Sequence, residues 1–253
     1  MIKKNKFMLL SVVVYSLISG VGGLLAAVIY QLTGISYASY MLITLSIQCL
    51  LVIWSIYCYK KIGRQGKLFN KAVGNSIIWI TPHYILLAIV LFDNMKSIAT
   101  LDNTQILSLG IYFFTSIFIA VSEEVMFRGA ILQYVLGRGK RKAVFYSAAL
   151  FSVFHLSNIL ISGNILSTAF QLISTFFFGL FASAIVIKQK TLLPILIYHA
   201  LWDFTMQITI FSESSSLLST LGTSSSQLLN IIIAFILLGT LAKRKKKGEL
   251  INE

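Results

Sequence analysis

Apolar runs of about twenty residues recur along the whole chain, and no soluble fold needs so many of them. A lipid bilayer does, because its hydrocarbon core of about 30 Å takes roughly 20 apolar residues of α-helix to cross. The runs cover residues 7–30, 40–59, 72–92, 106–127, 143–161, 166–187, 191–211 and 228–242. Composition agrees: 57% of the 253 residues are hydrophobic and 11% charged, where an ordinary soluble domain has about 45–50% and about 25%. The sequence therefore predicts an all-α, polytopic integral membrane helical bundle with about eight transmembrane helices. With no long polar stretch to form a soluble unit, residues 1–253 read as a single membrane domain.

The net charge of +13 would suggest a nucleic-acid partner if it formed one basic face. It does not, because the basic residues sit in short clusters between the apolar runs. One set of alternate loops holds Lys3, Lys4 and Lys6, then Lys60, Lys61, Arg64, Lys67 and Lys71, then Arg138, Lys140, Arg141 and Lys142, then Lys188 and Lys190, and finally Lys243 to Lys247. The other set holds only Lys96. Nineteen of the 21 basic residues thus fall on one side, one on the other, and Arg128 stays in or near the membrane. Basic loops stay in the cytoplasm, so the alternation predicts eight spans with both termini cytoplasmic. The clusters are topology anchors for anionic headgroups, and no nucleic acid is expected as a partner.

The first apolar run follows a basic N-terminus but is longer than the 7–15 residues of a signal peptide's apolar region, and is expected to be a retained span. Cys49 and Cys58 lie in one span without the spacing of a zinc or redox site, and no CaaX-type cysteine ends the chain. The Ser-rich stretch from Ser212 to Gln227 is expected to be a flexible connector. Gly20, Gly22 and Gly23, and later Gly179, Ala182 and Ala184, offer small faces for close helix packing.

Ionisable groups cost about 2.5–3.5 kcal/mol each at mid-membrane even on lenient scales, so each calls for a partner or a function. The fourth run contains SEEVMFRGAILQYVLG, helical in period from Ile106 to about Leu136 and longer than a span requires. Glu124 and Arg128, at i and i+4, share a face and can pair, while Glu123 is turned about 100° away. In FSVFHLSN, Phe151 and His155 are i and i+4; in YHALWDF, so are His199 and Asp203. Each pair alone could be a structural contact. Counted along their helices from the cytoplasmic ends, Glu123 lies about 20 Å in, His155 about 18 Å, His199 about 12 Å and Asp203 about 18 Å. Acids and imidazoles on three helices at similar depth point to a wet site, within a motif core of about residues 106–211. His83, directly after Pro82, is expected to satisfy backbone groups that the proline frees and is left outside the site.

These motifs resemble the CaaX protease and bacteriocin-processing family, also called the Abi family of intramembrane proteases. Its EExxxR stands here as Glu123, Glu124 and Arg128, its FxxxH as Phe151 and His155, and its HxxxN or HxxxD as His199 and Asp203. The resemblance covers about Ser122 to Phe204 and implies hydrolysis of a peptide bond in a membrane-associated peptide or protein, as in bacteriocin or pheromone precursor processing or self-immunity. It implies that Glu123 activates a water with help from His155, while His199 and Asp203 face the developing oxyanion. Asp203 departs from the more usual asparagine, so it either carries a proton or orients His199. Zinc accepts such nitrogen and oxygen ligands, but HExxH is absent, and metal-free chemistry with no cofactor is favoured. A membrane scaffold without catalysis and a proton-coupled transporter are the competing functions. The Lys- and Ile-rich composition points to a bacterial cell membrane.

Overall fold

The computed structural model describes residues 2–63, 68–70, 74–212 and 217–248, with side chains described from Lys4 onward except at 74–76, 211–212 and 242–248. Arg64, Lys67 and Lys71 lie outside the described residues, as do the side chains of Lys3 and of Lys243 to Lys247. Eight long helices are present among the described residues: α1 Ile2–Thr33, α2 Tyr37–Ile62, α3 Thr81–Ile98, α4 Asn103–Glu124, α5 Lys140–Phe154, α6 Ile165–Gln189, α7 Leu193–Ser212 and α8 Leu217–Gly248. No strand occurs among the described residues. Two helices continue beyond those bounds without a break, α4 to Arg138 through π-helical turns over Val125–Leu132, and α5 to Ser162 through a 3-10 turn at His155–Asn158.

Six of these helices are long and apolar enough to cross a membrane: α1, α2, α4, α5, α6 and α8. The other two expected spans are helices as well, but α3 carries His83, Asp93, Asn94 and Lys96 within its length, and α7 carries His199, Asp203 and Gln207. The exterior is lipid-like, whereas the interior mixes an apolar core with buried polar and charged groups. Phe92, Leu217 and Ile165 stand fully out, while Arg128, Glu124 and His83 are buried. Around the polar centre, Tyr15, Phe127, Phe151 and Phe154 interlock edge to face, with Tyr15 to Phe154 at 5.0 Å and Phe127 to Phe151 at 5.1 Å between ring centroids.

Three expectations are corrected. The third span was expected at 72–92, yet α3 begins at Thr81, after a 3-10 turn at Gly74–Trp79. Pro82 sits in the first turn, where a missing N–H costs nothing, so no kink frees backbone for His83 to satisfy. α3 runs to Ile98, and α4 starts on a capping box in which Asp102 accepts from the Thr104 and Gln105 backbones at 2.8 Å each.

The Ser-rich connector is helix from Leu217 onward. Ser219, Gly222, Ser226 and Asn230 fall at helical spacing, so the polar stripe is a packing face, not a solvated loop. Gly222 approaches the Val90 side chain of α3, and the Tyr198 hydroxyl of α7 meets Ser226 Oγ at 2.9 Å.

Small residues set the closest helix approaches, as their spacing suggests. A Cβ on Gly179 of α6 would lie 2.8 Å from Ala148 Cα of α5, and one on Gly20 of α1 would lie 2.8 Å from Ser157 Cβ. Neither neighbour is the free end of a flexible chain. Gly179→Ala is expected to lower the thermal midpoint of the purified protein in detergent, at a cost of about 1–3 kcal/mol for overpacking. Gly110→Ala, where a Cβ meets nothing within 4 Å, is expected to hold or raise it.

Candidate active site

The π-helical stretch begins directly after Glu124. One residue further on each turn than an α-helix, such a bulge re-aims side chains and is often found at functional sites. Arg128 lies within it, fully buried, with Nη1 donating to Glu124 Oε1 at 3.0 Å. Its guanidinium stands over the Phe151 ring at 4.2 Å and near the Phe178 ring at 5.5 Å. Those faces supply cation–π stabilisation where Nε and Nη2 find no hydrogen-bond partner. The pair expected from i,i+4 spacing is therefore present, and it is completely desolvated.

Glu124 does a second thing that its spacing does not reveal. Its Oε1 also accepts from His199 Nδ1 of α7 at 3.0 Å. An imidazole held through Nδ1 presents Nε2 outward in a fixed direction. That nitrogen lies 3.6 Å from Glu123 Oε2 and 3.6 Å from Asp203 Oδ2, so it faces two carboxylates without bonding closely to either. Glu123 Oε2 has no hydrogen-bond partner among the described residues.

His155 is oriented by its own helix. Its Nδ1 donates to the Phe151 carbonyl at 2.8 Å, and its ring meets Phe151 and Phe154 edge-on, each at 4.8 Å. Because Nδ1 is committed, Nε2 is left to serve as the acceptor in the neutral ring.

Glu123, His155, His199 and Asp203 line one cavity of about 430 Å³ bounded by α1, α2, α4, α5, α6 and α7. A single water needs only about 10–15 Å³, and the wall is polar, with Tyr37, Tyr40, Thr44, Gln48, Tyr112 and Gln207. His155, His199 and Asp203 also line a second, smaller cavity of about 230 Å³ on the other side. All six expected residues are thus accounted for: Arg128 and Glu124 buried behind the cavity wall, the other four on its surface.

Sequence reasoning passed over Gln171, which lines both cavities and accepts from Asn158 Nδ2 at 3.0 Å. Its signal was available, since a lone amide in an apolar run calls for a partner just as a charge does. His83 is elsewhere. Its Nε2 pairs with Asn230 Oδ1 at 3.0 Å and its ring stacks on Phe181 at 4.0 Å, which ties α3 to α8 and α6.

Residues 105–205 match the family model described as "Type II CAAX prenyl endopeptidase Rce1-like". Over this segment, less than half of the chain, the sequence is similar to that family. The match takes in every one of the six site residues and ends just after Asp203. No curated protein matches the chain. The family so described is one of endopeptidases, which hydrolyse peptide bonds. Among the described residues, no three His, Cys, Asp or Glu side chains are arranged to hold a metal ion.

Removing one member of a buried pair strands the other, at about 3–5 kcal/mol, whereas removing both charges together is far cheaper. Arg128→Met is accordingly expected to unfold at a markedly lower temperature than the parent. Combining it with Glu124→Gln should recover most of that loss, as read by thermal unfolding in detergent.

Proposed function

We propose that this protein is a membrane-embedded endopeptidase in which Glu123 activates a water and Glu124 positions His199. The observation that carries the proposal is the Glu123 carboxylate, whose Oε2 makes no hydrogen bond and lies 3.6 Å from His199 Nε2, on the wall of a polar cavity that also holds His155. Glu123 takes a proton from a cavity water as the oxygen attacks the scissile carbonyl carbon. The carbonyl electrons move to oxygen, giving a tetrahedral oxyanion. Collapse breaks the C–N bond, and the proton held by Glu123 passes to the leaving amine. A carboxylate in a low-dielectric site suits this double duty as base then acid.

His199 and His155 flank the site of attack. A charged His199, held by Glu124 through Nδ1, presents an N–H at Nε2 that stabilises the oxyanion. Asp203, 3.6 Å from the same nitrogen, orients and balances that ring, which explains why an aspartate serves where an asparagine is more usual. Arg128 offsets one of the three carboxylates of the cluster. No step is routed through a metal, and the proposed chemistry uses only these side chains.

The substrate is a membrane-associated peptide or protein segment of the bacteriocin or pheromone precursor type, or one whose cleavage confers self-immunity. The basic loops support a cytoplasmic location for both termini, in a bacterial cell membrane. In a pure scaffold, a buried carboxylate whose Oε2 makes no hydrogen bond would be a cost without return.

Matched cells carrying the wild type and Glu123→Ala are expected to differ by a peptide terminus seen in membrane-peptide mass spectrometry only with the wild type. A general base contributes about 10²–10⁴-fold, so cleavage by the variant should fall at least about a hundredfold. Undiminished cleavage by a folded Glu123→Ala protein contradicts the mechanism. Separately, the purified protein is expected to keep its activity after exhaustive chelation; activity lost on metal removal and restored by zinc alone would mark a metalloprotease.

A further inference from the structure

The two cavities at the active site differ in chemistry, and their difference bears on which peptides fit. His155, Gln171, His199 and Asp203 line both, forming a partition, while Glu123 faces only the larger, polar one. Across the partition the smaller space of about 230 Å³ is walled by Phe151, Phe178, Tyr198 and Trp202.

Most polar groups of that smaller chamber are already engaged. The Tyr198 hydroxyl is paired with Ser226 at 2.9 Å, Asn230 Oδ1 with His83 Nε2 at 3.0 Å, and the Thr175 hydroxyl with the Gln171 carbonyl at 2.8 Å. His83 thus acts from behind, fixing one amide of the wall. What remains open to a guest is the aromatic surface of Phe151, Phe178, Tyr198 and Trp202, edged by the uncharged groups of Ser174, Gln227 and Asn230. Asp203 is the one carboxylate among the residues lining the chamber, and it stands at the partition beside His199. A charged guest would surrender its hydration for little return, while an apolar or aromatic one gains burial and ring contacts.

Resting on the proteolytic reading above, we infer that the Phe151, Phe178, Tyr198 and Trp202 chamber is a specificity pocket that receives one bulky, uncharged side chain adjacent to the scissile bond. A peptide strand crossing the partition sets its carbonyl before the water held by Glu123 and drops the neighbouring side chain into the aromatic chamber. The rest of the strand lies in the polar cavity, where tyrosine hydroxyls and amides meet its backbone.

Two variants alter the chamber in opposite senses. Ser174→Phe, from the α6 wall, fills it; Trp202→Ala, from the α7 wall, enlarges it. Wild type and variants in proteoliposomes are given the same mixture of synthetic peptides varied at the positions flanking one cleavable bond, and product ratios are read by mass spectrometry. Ratios are independent of how much protein folds. The wild type is expected to prefer Phe, Leu, Met or Trp at one flanking position. Ser174→Phe should shift the ratio toward Ala and Gly by at least about tenfold, and Trp202→Ala should flatten it. Cleavage by the wild type without such a preference, a preference for Lys or Arg, or variant profiles identical to wild type would overturn the pocket and leave proteolysis standing. No cleavage of any peptide by the wild type would overturn both.

Discussion

Everything at this site hangs on one buried chain, Arg128 to Glu124 to His199, in which a single carboxylate oxygen accepts at 3.0 Å from each neighbour. It joins α4 to α7 at a depth where water cannot substitute for a lost partner, so the two helices have one satisfactory register. The same oxygen makes the chemistry possible. By committing Nδ1 of His199 it aims Nε2 at Glu123 and Asp203, and by pairing with Arg128 it leaves Glu123 outside that ion pair. Two adjacent glutamates thereby acquire different jobs from a rotation of about 100° along one helix.

The surrounding packing serves that chain. Phe151 and Phe178 give Arg128 its ring faces, and Phe151 also supplies, through its carbonyl, the acceptor that holds His155. Close approach of α5 to α6 at Gly179 and Ala148 brings those phenylalanines together. On the far side, Tyr15 of α1 hydrogen bonds Ser122 at 2.7 Å, immediately before the glutamates. These contacts explain why a motif spread over three helices needs the other helices around it.

Much of this was legible in the residues. Long apolar runs and their basic flanks gave the helical bundle, and i,i+4 spacing gave the Glu124–Arg128 pair. Depth alone would have put His199 about 8 Å short of Glu123, yet the two lie within 3.6 Å. Counting from the cytoplasmic end assumed that every helix starts at one level. The turn before α7 is instead tucked inside, with Thr191 and Leu192 buried and the Leu192 N–H donating to the Leu68 carbonyl at 2.9 Å. Glu124–His199 could not be read because nothing in local spacing fixes a contact between helices 75 residues apart. The Ser-rich start of α8 was misread because composition suggests a loop, whereas its period, from Ser219 through Gly222 and Ser226 to Asn230, is that of a helix face.

Coupling between His199 and Glu124 is the most direct measure of whether α4 and α7 are locked as described. A double-mutant cycle with Glu124→Gln and His199→Gln, scored by unfolding free energy in detergent, isolates it. Contacting residues in one network show interaction energies of about 0.5–3 kcal/mol, and a value in that range is predicted. Additivity within about 0.3–0.5 kcal/mol would mean that the two side chains do not touch, and the site as described would not exist.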